Sequence, residues 1–129
     1  MTIRSLFLLF LFFVGIPSIA YGQEISLASW NIRDFGKTKS AVEIEDIAEI
    51  LRNYDIVAIQ EVVAGYGGSQ AVAKLADELN RKGSKWNYSI SDATKSPKYK
   101  TEKYAYLWKT STAKVLEKGS LITDLASCV

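Results

Sequence analysis

The sequence has no histidine, one cysteine, two prolines and one methionine among its 129 residues. Without histidine, no side chain has an unperturbed pKa close to neutrality, so the chain by itself lacks the usual residue for taking and returning a proton at physiological pH. The single cysteine, Cys128, excludes an internal disulfide and leaves either a free thiol near the terminus or a partner cysteine outside this sequence. Net charge is scarce as well: 16 basic against 14 acidic residues give +2. That is no global electrostatic signature for nucleic acid, so any phosphate-binding surface must be local. Long apolar runs are absent except for Leu6–Val14, which follows Arg4 and precedes Ala20-Tyr21-Gly22. This order of positive, apolar and small-x-small segments reads as a secretory signal peptide over residues 1–22, with Gln23 as the mature start. Gly15 and Pro17 interrupt the run well short of the roughly 20 apolar residues that a membrane anchor needs. The expectation is an exported protein, secreted or periplasmic, with no stable membrane association after cleavage.

Residues 23–129 are enough for one domain with a modest core and too few for two. The chain is organised around Asp55-Ile56-Val57-Ala58-Ile59-Gln60-Glu61-Val62, an apolar run that ends in an amide and a carboxylate. It reads as a strand buried on both faces, which implies helices packed over it in an α/β layer. Upstream, Glu24–Ile32 alternates as a strand and Asp34-Phe35-Gly36 breaks it. Ser40 and Glu43 form a capping box for a helix with the core stripe Ile44, Ile47, Ala48 and Leu51, closed by Asn53. Strand, helix and strand then make a βαβ unit. After the loop Gly65–Gly68, Ser69 is placed to cap a second helix with the stripe Val72, Leu75, Ala76 and Leu79, ended by a left-handed Gly83. Trp86–Ser91 and Glu102–Lys109 predict two further strands on either side of an exposed basic loop that carries Lys95, Lys98 and Lys100. Thr112–Leu121 predicts a fifth strand, paired with the fourth through a turn near Thr110-Ser111.

Asn31 and Glu61 end the first two strands, and in open α/β sheets ligands sit beyond the carboxyl ends of the strands. If the two strands are parallel neighbours, a carboxylate and an amide oxygen project into one crevice. Such hard oxygen donors suit Mg²⁺ or Ca²⁺ rather than zinc, and Mg²⁺ commonly takes only one or two carboxylates. The competing reading makes Glu61 a solvated strand-end charge and Asn31 a turn residue.

Three segments in order add a family resemblance over nearly all of residues 23–129. Ser26–Lys39, with Trp30-Asn31-Ile32-Arg33 and Phe35-Gly36 inside it, resembles the first strand of the endonuclease/exonuclease/phosphatase superfamily in its DNase-I-like branch. Tyr54–Val62 is similar to the second family motif, and Tyr99-Lys100-Thr101-Glu102-Lys103-Tyr104 resembles the third. The resemblance implies an α/β fold, the N-terminal half of a four-layer sandwich, with one mixed sheet and two helices on its outer face. It implies Glu61 as the ligand of a divalent metal, Mg²⁺ or else Ca²⁺ or Mn²⁺, with Asn31 beside it positioning phosphate and metal-bound water. Arg33 would contact a nucleic-acid backbone, which suits an arginine fork, as would Tyr99 and Lys100. Glu102 would orient a catalytic histidine, as the carboxylate of a triad does. Taken without the resemblance, Glu102 reads as a strand-edge charge paired with Lys103 or Lys109.

The sequence departs from the family pattern in three places. Val63 stands where the branch carries an arginine that enters the minor groove, and Lys100 falls at the position of a groove-stacking tyrosine, with Tyr99 adjacent. The family's two histidines, its Gly-Asp-x-Asn segment and its Ser-Asp-His segment are missing. Asn31 and Glu61 alone cannot activate water near neutral pH, so the chain by itself is expected to be inactive. It is expected to represent the N-terminal part of a domain that, when complete, is a monomeric phosphodiester hydrolase acting on nucleic acid, most simply DNA. Two alternatives stay open: a phosphoesterase for a lipid or inositol head group, and a non-catalytic exported fragment that binds polyanions. A half-domain would leave an inner sheet face, lined in part by Ile25, Leu27, Val57, Ile59 and Tyr106, without its partner sheet. At roughly 25 cal/mol per Å², leaving some hundreds of Å² uncovered costs several kcal/mol.

Overall fold

The computed structural model describes residues 22–95, 97 and 101–117. Strand β1 is Leu27–Phe35, helix α1 Ala41–Leu51, β2 Ile56–Val63, α2 Gly68–Arg81, β3 Trp86–Ile90 and β4 Glu102–Lys109. The sheet order is β1-β2-β4-β3. β1 and β2 are parallel, while β4 runs antiparallel to both β2 and β3, so the sheet is mixed. Both helices cover one face, the α/β arrangement expected from the sequence. Among the described residues no helix is long and apolar enough to cross a membrane. Residues 1–21 of the predicted signal peptide, Lys98, Tyr99, Lys100 and Cys128 lie outside the described residues.

Alternation along the strands decides what is buried. Ala28 and Trp30 register with Val57 and Ile59, and these in turn with Leu107 and Ala105, all on the helix side. There Val57, Ile59, Ala105 and Leu107 are fully buried against Leu51, Val72, Leu75 and Leu79. Leu27, Ser29 and Asn31 register with Ile56, Ala58 and Gln60 on the opposite, open face, to which Tyr106 also belongs. Val57 and Ile59 therefore do not line an uncovered face, as the sequence suggested, whereas Leu27 and Tyr106 are 64% and 44% exposed there. β2 is accordingly buried on one face and only half-covered on the other.

α1 starts as expected: Ser40 Oγ accepts from Glu43 N at 3.2 Å, and Glu43 Oε2 accepts from Ser40 N at 2.7 Å. The Ser40 backbone N–H, then the Ser40 hydroxyl, hold the Glu43 carboxyl below its ordinary pKa. Asn53 closes α1 from two residues beyond its end by donating to the Glu49 and Ile50 carbonyls. Several boundaries differ from expectation, and β1 starts at Leu27 rather than Glu24. β1 runs through Asp34 to Phe35, whose ring is fully buried. α2 is capped at Gly67 and not at Ser69, with Gln70 Oε1 accepting from Gly67 N at 3.1 Å. Gly67 has φ +97, and a Cβ on Gly68 would overlap the Val63 carbonyl, so backbone conformation and close approach select the two glycines. β3 ends at Ile90, one residue short of Ser91. Residues 112–117, the described part of the predicted fifth strand, form no strand. Gly83 takes the expected left-handed conformation, with φ +100.

Candidate active site

The site forms at the carboxyl ends of the parallel strands β1 and β2, where Asn31 registers with Gln60. Regular alternation would send Glu61 to the helix side. A bulge prevents this: between the pairs Ile59–Ala105 and Val62–Lys103, the two residues Gln60 and Glu61 oppose the single residue Tyr104. Glu61 takes a positive φ of 59° within the bulge. Its carboxylate thereby meets Asn31, whose Nδ2 donates to Glu61 Oε1 at 2.8 Å. β1 is irregular at the same level, with Asp34 at φ 51°. Two non-glycine residues in left-handed conformation at neighbouring strand ends mark local strain, which concentrates at functional sites. Gln60 turns to β1 instead, its Nε2 donating to Ser29 Oγ at 3.0 Å.

Arg33 follows Asn31 by two positions on the same strand; its side chain is 89% exposed and lies 3.6 Å from the Asp34 carboxylate. That leaves most of the guanidinium open to an anion. Glu102 registers with Val63, two residues beyond Glu61, and alternation along β4 sets it on the open face with Tyr104 and Tyr106. Its backbone exchanges hydrogen bonds with Thr94, while its carboxylate has no partner among the described residues. The ion pair considered for it with Lys109 is not formed, because Lys109 Nζ donates to Asp55 Oδ1 at 3.2 Å at the far end of β2. Asn31, Arg33, Glu61 and Glu102 thus converge on one end of the open face.

Among the described residues, no group of three or more histidine, cysteine, aspartate or glutamate side chains forms a ready cation cage. The donor set still fits a hard cation that keeps most of its water. Glu61 is half-buried, one carboxylate oxygen is oriented by Asn31, and the other has no protein partner among the described residues. Sequence reasoning missed the groove beside this site, a cavity of about 450 Å³ lined by Arg33, Asp34, Lys37, Thr38, Lys39, Val63 and Tyr66. The signal was present in Lys37-Thr38-Lys39, directly after the first motif, and in a tyrosine set among glycines 65, 67 and 68.

The sequence pattern of the Endonuclease/Exonuclease/phosphatase family matches residues 28–125. Over 110 residues the chain is 36% identical to deoxyribonuclease-1 of Bos taurus, an alignment that covers 83% of this chain and 38% of that one. It is 38% identical to deoxyribonuclease-1 of Rattus norvegicus over 96 residues, covering 72% of this chain and 33% of the relative. Against the Oryctolagus cuniculus protein of the same name the identity is 35% over 97 residues, covering 73% and 34% of the two chains. The chain therefore spans between 33% and 38% of the length of these relatives.

Proposed function

The chain belongs to the endonuclease/exonuclease/phosphatase family, in its DNase-I-like branch, and from that premise we propose that its strand-end site is the cation- and phosphate-binding part of a phosphodiesterase centre that cleaves nucleic acid. The observation that carries this reading is the 2.8 Å hydrogen bond between Asn31 and Glu61, made across two strand ends by a left-handed bulge. Glu61 would hold Mg²⁺, with Ca²⁺ or Mn²⁺ as substitutes, and such an ion supplies charge against the negative charge that develops on the phosphate. Asn31 fixes the carboxylate and offers an amide to a phosphate oxygen. Arg33 presents two parallel N–H donors to the backbone phosphate. Glu102 orients an imidazole contributed by protein beyond this chain. The general base and acid that the family resemblance implies are histidines, and this chain has none, so residues 23–129 alone bind without turning over.

DNA, the substrate in the relatives' printed names, is the first to test. In a chain extended to the relatives' length, Glu61→Gln lowers plasmid cleavage in Mg²⁺ at least roughly a hundredfold, since several kcal/mol of charge stabilisation is lost. Cleavage at the parental rate overturns the assignment. Val63, an apolar side chain lining the groove, supports a second reading in which a lipid or inositol phosphate head group meets the same Glu61 and Arg33. Hydrolysis of such a head group, with plasmid left intact, selects it. On either reading residues 1–22 direct export, and the mature protein recovered outside the cell begins at Gln23; a start at Met1 contradicts this.

A further inference from the structure

Tyr66 stands 80% exposed beside the site, in a loop whose backbone is closely packed. Lys37 Nζ lies 5.9 Å from the centre of its ring. The next residue, Gly67, packs so closely that a Cβ there would come within 2.6 Å of Lys37 Cβ. Gly68 in turn rests against Val63 at the end of β2. The β1–α1 and β2–α2 loops therefore pack against each other, and they present an aromatic ring and an ammonium group side by side. The groove between them carries three cations, Arg33, Lys37 and Lys39, and one carboxylate, Asp34, which already lies 3.6 Å from Arg33. It adjoins the site through two lining residues, Arg33 and Val63, which follow Asn31 and Glu61 by two positions each on β1 and β2.

An exposed ring among cations is the arrangement that holds unpaired strands, with phosphates on the basic side chains and a base on the ring. In a duplex the base faces are already stacked on one another, so the ring finds no π-face, and Val63 supplies no hydrogen bond to a base edge in compensation. We infer that this groove selects unpaired nucleic-acid strands, with Tyr66 stacking one base while Lys37 and Lys39 neutralise the flanking phosphates. The inference rests on the nucleic-acid reading above and narrows its substrate class.

Fluorescence anisotropy of the chain with a labelled oligothymidylate and with a labelled duplex of equal length tests it. The single strand binds more tightly. Tyr66→Ala weakens that binding about tenfold and changes duplex binding by less than about twofold, and Tyr66→Trp restores the parental preference. Lys39→Ala flattens the salt dependence for the single strand by roughly 0.7 in log–log slope, the loss of one phosphate contact. Tighter duplex binding, or an equal loss of both probes in Tyr66→Ala, overturns the inference and leaves the nucleic-acid reading standing. Binding of neither probe at low salt overturns both.

Discussion

Asp55 accepts hydrogen bonds at Oδ2 from the Ser26 backbone N–H at 2.9 Å and from the Ser26 hydroxyl at 2.7 Å, and at Oδ1 from Lys109 Nζ at 3.2 Å. One side chain thus ties β2 to both neighbouring strands at the end remote from the site. The Ser26 N–H, then its hydroxyl, then Lys109 hold the carboxyl at about 2, below its ordinary 3.8. A pKa lowered by folding stabilises the native state wherever the unfolded carboxyl is ionised. The contribution is complete above about pH 4 and fades as the pH falls towards 2. Urea unfolding of the parent and of Asp55→Asn therefore shows a stability gap at pH 7 that narrows steadily between about pH 4 and 2. A gap that stays constant over that interval means the ionised carboxyl is not what joins the strands.

At the scale of the element, the bulge in β2 sets function against local backbone preference. A left-handed φ costs an L-residue roughly 1–2 kcal/mol, and glycine escapes most of it. Glu61→Ala and Glu61→Gly both lose the bond to Asn31, but only glycine relieves the backbone. The glycine variant is therefore the more stable of the two by about 1 kcal/mol, measured by chemical denaturation. Equal stabilities contradict a strained Glu61. The elements themselves were largely legible in the sequence. The capping box of α1 and the stripes of both helices are local patterns, and the structure follows them residue by residue. What faces what was less so. Both parities of β1 and β2 carry apolar side chains, so pattern alone did not show that Val57 and Ile59 meet the helices while Leu27 and Ile56 do not. The bulge was invisible for a related reason: Gln60-Glu61 contains no glycine to announce a positive φ. Asn31 and Glu61 could still be matched as strand ends, because a parallel β1–β2 pair brings those ends together, but the bulge is what turns Glu61 onto Asn31's face.

For the whole molecule, the helix side is closed and the other side is open. Ile25, Leu27 and Tyr106 remain 52%, 64% and 44% exposed around a sheet whose opposite face carries the buried core. This supports the proposal that a second sheet covers the open face in the complete protein and brings the proton-transferring groups to the end where Asn31, Arg33, Glu61 and Glu102 gather. Lys37, Lys39 and Tyr66 belong to that same end, on loops whose mutual fit depends on two glycines and is set only by the folded chain. The account depends above all on a shared cation site at Asn31 and Glu61. Titration of the ¹⁵N-labelled chain with Mn²⁺ addresses this directly, since the ion broadens resonances of nearby nuclei. The account predicts that the Asn31 side-chain amide and the Gln60 and Glu61 backbone amides broaden first, and that Glu61→Gln removes the effect. Broadening centred on other carboxylates, or unchanged in Glu61→Gln, would contradict it.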